Sequence, residues 1–171
     1  MSKESIALIG MAGAGKSTIG KPLAAKLDFN FLDLDIFIAA RQGATIQSII
    51  DHKGEEFLLQ LEEKSLREID MRKMVIAPGG SIIYRPALME FLKQQSILVF
   101  LDEPFETIQK RLQNAATRGI VGYPLKSLRE IYRERRPGYL LYADFTINPR
   151  NRPPTEIASE IFDLVADELR A

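Results

Sequence analysis

A three-layer α/β/α sandwich around a five-stranded parallel sheet is the fold class this sequence predicts, and three observations predict it. Five short apolar runs, Ser5 to Ile9, Asn30 to Asp33, Lys73 to Ala77, Ile97 to Asp102 and Phe145 to Asn148, are rich in β-branched or aromatic residues and short enough to be buried strands. Longer stretches with helical spacing separate them. Strands alternating with helices imply right-handed crossovers, hence a parallel sheet covered on both faces. The chain has 171 residues, 46% hydrophobic and 27% charged, a size that closes most economically around one core as a single domain.

Each element follows from its local pattern. The first helix is predicted to begin within Gly15-Lys16-Ser17-Thr18 and to run to about Leu27, because Ile19, Leu23, Ala24 and Leu27 recur at the spacing of one apolar face. Pro22 is best tolerated there within the first turn, where its missing N–H would have had no partner. An excursion over 36–66 is expected to hold three helices, near Ile36 to Arg41, Ile46 to Lys53 and Glu55 to Leu66, and to form a substrate-covering segment. Between Asn114 and Lys126 the apolar signal thins and Gly119, Gly122 and Pro124 enter, the pattern of a mobile loop flanked by helices; a lid is expected over about 112–125. Ile157, Ile161, Leu164, Val165 and Leu169 form one stripe, which makes Pro154 to Leu169 a closing amphipathic helix. The core then comprises about 1–35, 71–110 and 126–171.

Bulk properties narrow the function. Acidic and basic residues balance at a formal net charge of +0, so no one-signed field draws the chain onto nucleic acid or an anionic membrane, and a small ligand is expected. Cys is absent, which removes disulfides, thiolate metal sites and cysteine nucleophiles together and agrees with a reducing compartment. The apolar run Ile6-Ala7-Leu8-Ile9 is too short for a secretory core or a membrane span, so the expected location is cytoplasmic.

Gly10-Met11-Ala12-Gly13-Ala14-Gly15-Lys16-Ser17 fits G-x-x-x-x-G-K-[ST] and lies between an apolar strand and an amphipathic helix, where the mechanism of that motif requires it. Gly10, Gly13 and Gly15, with Ala14 among them, let successive N–H groups turn inward around a polyphosphate. The helix N-terminus, entered through Lys16, Ser17 and Thr18, adds partial positive charge. Lys16 would reach the β- and γ-phosphates of ATP, and Ser17 would place its hydroxyl on Mg²⁺, which keeps oxygen ligands and waters. A loop of this kind serves kinases, hydrolases and switch proteins alike.

The second strand ends in Asp33-Leu34-Asp35, at the carboxyl edge where open parallel sheets bind ligands. Alternate strand residues share a face, which lets Asp33 approach the metal while Asp35 sits at the strand exit near an acceptor hydroxyl. The competing reading is an acidic turn that caps the next helix. Pro78-Gly79-Gly80-Ser81 follows the third strand and permits close approach of backbone to a ligand. Arg111 and Arg118 bracket the start of the lid and Arg135-Arg136-Pro137 follows it; guanidinium groups there could meet the charge that develops on a transferring phosphoryl group.

Taken together these pieces resemble the shikimate kinases, small members of the P-loop nucleoside monophosphate kinase superfamily. The resemblance spans nearly the whole chain. Gly10 to Thr18 stands as the Walker A element, Asp33-Leu34-Asp35 as the D-x-D element, and Gly54-Glu55 as the opening of the substrate-covering segment. Gly79-Gly80 is the glycine turn, Arg118 the lid arginine and Glu134-Arg135-Arg136-Pro137-Gly138-Tyr139 the E-R-x-P-x-Y element, followed by Ala143-Asp144. The resemblance implies an ATP-dependent kinase, working largely as a monomer, that phosphorylates shikimate or a similar small hydroxylated substrate. In it Lys16 and Arg118 would stabilise phosphates, Ser17 and Asp33 would hold magnesium, and Asp35 would accept the proton of the attacked hydroxyl. Arg111 would stack on adenine, Gly79 and Gly80 would contact the acceptor, and Arg135 would grip its carboxylate.

Three departures stand against that pattern. Where the family carries F-R-x-x-E, this chain has Leu58-Leu59-Gln60-Leu61-Glu62, so Leu59 replaces a second arginine clamp; the third glycine of the turn is Ser81; and the lid R-P-L-L has become Arg118-Gly119-Ile120-Val121. One charge-assisted hydrogen bond is worth roughly 1.5 to 3 kcal/mol, so shikimate affinity would fall about tenfold to a hundredfold unless Gln60 or Arg67 compensates. Three readings remain open: a shikimate kinase with rearranged recognition, a related kinase with another polyol or hydroxy acid as acceptor, to which Leu59 offers apolar contact, and a nucleotide-binding regulatory module without transfer activity. Among lesser signals, the lone His52 reads as a solvated side chain and Glu62 with Glu63 chiefly as a charged helix face, while the resemblance also sets Glu62 on the family glutamate, which would orient the arginine that Leu59 replaces. Tyr132, Tyr139 and Tyr142 read as packing after the lid.

Overall fold

The computed structural model describes residues 3–113 and 118–169, so residues 114–117 of the expected lid lie outside the described residues. Five strands form one sheet: β1 (Ser5–Ile9), β2 (Asn30–Asp33), β3 (Met74–Ala77), β4 (Ser96–Leu101) and β5 (Phe145–Ile147), within a residue of the expected runs. Their order is β2-β3-β1-β4-β5 and every pairing is parallel. β1 and β4 are buried throughout, as strands covered on both faces must be. The chain leaves β1 toward β2 in one direction and β3 toward β4 in the other. Right-handed crossovers therefore place the intervening helices on opposite faces and open a crevice at the carboxyl ends of the central strands.

Helix α1 (Lys16–Leu27) buries Ile19, Leu23 and Ala24 against the sheet and against α8 (Pro154–Val165). Pro22 does not fall in the first turn; it lies inside α1, where its missing N–H deprives the Thr18 carbonyl of a helical donor. The buried stripe on either side of it outweighs that loss. The excursion after β2 forms α2 (Leu34–Gln42), α3 (Ile46–Lys53) and α4 (Glu55–Glu68). α2 starts two residues earlier than expected because Asp33 caps it, its Oδ1 accepting from the Ile36 N–H at 3.1 Å. After β3 come a 3₁₀ turn (Gly80–Tyr84) and α5 (Pro86–Gln95), and after β4 come α6 (Phe105–Arg111) and α7 (Leu128–Tyr142). α7 begins in a capping box, Ser127 accepting from the Glu130 N–H while Glu130 accepts from the Ser127 N–H, a signal legible in the sequence. Among the described residues no helix is long and apolar enough to cross a membrane.

The described part of the expected lid is packed down. Ile120 and Val121 are buried, the Gly119 N–H donates to Gln47 Oε1 at 3.1 Å, and the Gly122 N–H donates to Glu55 Oε1 at 2.6 Å. Gly119 has φ 70°, and a Cβ there would lie 2.5 Å from Ile46 Cγ2 and 2.8 Å from the Gln47 backbone nitrogen, so only glycine lets the lid reach α3. Gly119→Ala is therefore expected to cost about 1 kcal/mol or more at this contact. Hydrogen exchange at the Gly122 amide should quicken roughly fivefold while amides of β1 and β4 keep their protection; an unchanged Gly122 amide would contradict the docking.

Candidate active site

The loop between β1 and α1 turns through three glycines with positive φ: Gly10 at 148°, Gly13 at 79° and Gly15 at 92°. Lys16 folds back over this loop, its ammonium donating to the carbonyls of Gly10 and Met11 at 2.8 Å each. Burial pushes Lys16 down to about 8, against the pull of Asp35 and with the help of Arg135. Arg111, at the end of α6, lies over the loop, donating to the Gly13 carbonyl at 2.8 Å and to Glu103 Oε1 at 3.3 Å. These residues line one end of a cleft of about 460 Å³, with Thr18 exposed on its rim and Pro149, Arg152, Pro154 and Ile157 completing the wall.

Asp33 serves two partners. It caps α2 through Oδ1, as the competing capping reading expected, and accepts the Ser17 hydroxyl through Oδ2. Asp35 is not on the strand: β2 ends at Asp33, and Asp35 enters the cleft from the first turn of α2. Strand alternation therefore does not place it; the sharp strand-to-helix turn does. Its carboxyl is held above the usual carboxylate range by burial, with Lys16 pulling down and Asp33 pushing up. Arg118 lies exposed on the rim, close enough for its charge to act on both Lys16 and Asp35.

The other end of the cleft is built where α2, α4, α7 and the Gly79–Gly80 turn meet. A Cβ on Gly79 would lie 2.4 Å from Glu62 Oε1 and 3.0 Å from Asp35 Oδ1; one on Gly80 would lie 2.8 Å from Arg135 Nη1. Arg135 is 2% exposed, donates to the Val121 carbonyl at 2.8 Å and to the Tyr84 hydroxyl at 3.3 Å, and stacks on the Tyr84 ring. Tyr139, pushed up to about 12 mainly by burial, donates to the Gly80 carbonyl at 2.6 Å and so does more than fill space.

Lys16, Asp35, Arg118, Ser17, Asp33, Arg111, Gly79, Gly80 and Arg135 thus share one cleft. Three expectations change, and two residues are added. Glu62 is not on a solvated face; it is 1% exposed on the buried stripe of Leu58, Leu59, Ser65 and Leu66, whose i, i+4 spacing was the signal for it. Leu58 rather than Leu59 lines the cleft, and Leu59 is buried outside it. Gln60 donates to Glu56 and Arg67 pairs with Glu63, both at the surface, so neither replaces the absent arginine. Glu103 and Arg152 also line the cleft, and no sequence motif singled them out.

The comparisons agree with this geometry. The shikimate kinase family model matches residues 12–166. A shikimate kinase of Sulfurihydrogenibium sp. is 33% identical over 159 residues, 92% of this chain and 95% of that protein, and one of Paracidovorax citrulli is 39% identical over 150 residues, 85% and 82%. The structure of shikimate kinase from Acinetobacter baumannii in complex with shikimate superposes with a TM-score of 0.88 at 33% identity, over 96% of this chain and 94% of that one. With the motifs in family order, the cleft assembled from them and the match running through nearly all of its length, this chain belongs to the shikimate kinase family.

Proposed function

We propose that this chain transfers the terminal phosphoryl group of ATP to a hydroxyl of shikimate, giving shikimate 3-phosphate and ADP. The observation that carries this reading is the single cleft itself, with an ammonium and glycine loop at one end and Asp35, Gly79, Gly80 and Arg135 at the other. The acceptor hydroxyl oxygen attacks the γ-phosphorus, the bond to the bridging oxygen of ADP breaks in line, and the hydroxyl proton passes to Asp35. Lys16 and Arg118 neutralise charge on the transferring group, and Arg111 covers the base. Ser17 and Asp33 present two oxygens side by side at the phosphate end, which fits a magnesium ion completed by phosphate oxygens and water rather than a protein cage. Magnesium bound there would supply charge neutralisation to the phosphates.

A second reading, a different hydroxylated carboxylate as acceptor, is favoured by one observation. Arg135 is the only arginine or lysine that lines the acceptor end among the described residues, since Leu59, Gln60 and Arg67 face elsewhere. Release of ADP with shikimate, then with a panel of polyols and hydroxy acids, separates the two; robust turnover of shikimate at ordinary concentrations removes the second.

Three outcomes test the assigned roles. Asp35→Asn should leave calorimetric ATP binding intact and lower turnover about 10²- to 10⁴-fold; equal damage to both would remove Asp35 from the proton transfer. Arg135→Lys should raise acceptor KM about tenfold to a hundredfold without changing the KM for ATP, because an ammonium cannot present a planar fork to a carboxylate. The ammonium form of Lys16 binds phosphate, and its proton is lost near pH 8, so ATP affinity should fall about tenfold per pH unit above about 8. Titrations in buffers of different ionisation enthalpy should show proton uptake on binding in that range.

A further inference from the structure

α4 delivers into the acceptor end of the cleft a carboxylate that the transfer step does not use. Glu62 lines the cleft, yet is 1% exposed, and one hydroxyl serves both its oxygens: Ser81 Oγ lies 2.8 Å from Oε1 and 3.0 Å from Oε2. The arginines nearby are engaged elsewhere, Arg85 with Glu56 and Arg67 with Glu63, and Glu62 forms no ion pair among the described residues. Facing it are Asp35 from α2, Ser81 from the 3₁₀ turn, Arg85 from the start of α5, and Arg135 and Tyr139 from α7. The charge that acts on it most strongly is of its own sign, for the Glu62 and Asp35 carboxylates converge on one face of Gly79.

A buried carboxylate beside another carboxylate, with one neutral hydrogen-bond donor and no ion-pair partner, is favoured in its protonated form. We propose that Glu62 is a specificity-determining residue that meets the acceptor as an uncharged carboxylic acid positioned by Ser81, and that its ionisation expels an anionic acceptor. Protonated, it offers an O–H donor where an ionised carboxylate has only acceptors. An O–H there supplies, without charge, a second donor beside Arg135 at the end of the cleft where Leu59 offers none. Glu62 is pushed up to about 8, first by burial and then by Asp35, against Ser81, Arg135 and Arg85. The anionic acceptor is taken from the function proposed above, so the test has one arm that needs no acceptor.

That arm is infrared difference spectroscopy of the apo protein across pH about 6.5 to 9.5. The native chain should show a protonated-carboxyl band that is lost near pH 8 and that is missing in Glu62→Gln; no such band at neutral pH would overturn the proposal. The second arm measures shikimate KM over the same range at saturating Mg·ATP, so that the phosphates keep Lys16 charged. In the native chain the ratio of KM at pH about 9 to that at about 7 should be roughly tenfold, and in Glu62→Gln it should fall to near one, whatever its absolute KM. Ser81 donates to the ionised form and so favours it; Ser81→Ala should therefore move the rise to higher pH, a shift that a merely structural serine would not produce. A flat native profile, a tenfold ratio retained in Glu62→Gln, or a Ser81→Ala midpoint that stays put or drops would overturn the proposal. Should Glu62→Gln fail to fold, the native spectrum and Ser81→Ala still decide. If the band behaves as expected but shikimate is not turned over at any pH, the uncharged Glu62 is upheld and the choice of acceptor falls.

Discussion

Two residues without side chains set the spacing of the whole acceptor site. At Gly79 the backbone is pressed between Glu62 and Asp35, and at Gly80 it is pressed between Arg135, Tyr139 and the P-loop carbonyl of Gly10. No Cβ fits at either place without displacing a charged or hydrogen-bonded atom, so α2, α4, α7 and the P-loop can converge only because the turn after β3 is bare. The Tyr139 hydroxyl then ties α7 to that turn, which fixes where Arg135 points. Acceptor recognition is thus a property of backbone proximity first and of side-chain chemistry second.

The cleft also concentrates charge that would be costly singly. Lys16, Asp35 and Glu62 each depart from their ordinary titration because each is withdrawn from water, and each moves toward its neutral form. Lys16 finds carbonyls, Asp35 finds Lys16, and Glu62 finds only a serine. A polyphosphate restores charge to the first of these. Both ends of the cleft are hydrogen-bonded within the protein, the phosphate end through the Gly10 and Met11 carbonyls and the acceptor end through Ser81.

Much of this was legible in the residues. Strand positions followed from apolar runs, and the P-loop followed from glycines ahead of an amphipathic helix, because both signals are local. Asp35 was named for the right cleft by the wrong geometry: the expected strand run stopped at Asp33, but strand alternation was carried past it, and nothing local showed that a helix would begin at Leu34. Glu62 was misjudged because its charged neighbours Glu55, Glu56, Glu63 and Lys64 hid the apolar stripe on which it lies. Pro22 sat deeper in its helix than propensity favours, since tertiary burial of Ile19 and Leu23 overrides one missing donor. Glu103 and Arg152 are far apart in sequence and meet at the cleft only through the fold, so no motif could join them.

The segment expected to form a lid is tied to both the substrate-covering helices and the acceptor end of the cleft. Gln47 and Glu55, from the helices of the substrate-covering segment, hold the amides of Gly119 and Gly122, while the Val121 carbonyl is held by Arg135. The guanidinium assigned to the acceptor is thus also one of the latches on the door. On the acceptor role proposed for Arg135, an entering carboxylate would compete with the Val121 carbonyl for that guanidinium. On that reading one side chain would join occupancy of the cleft to access to it.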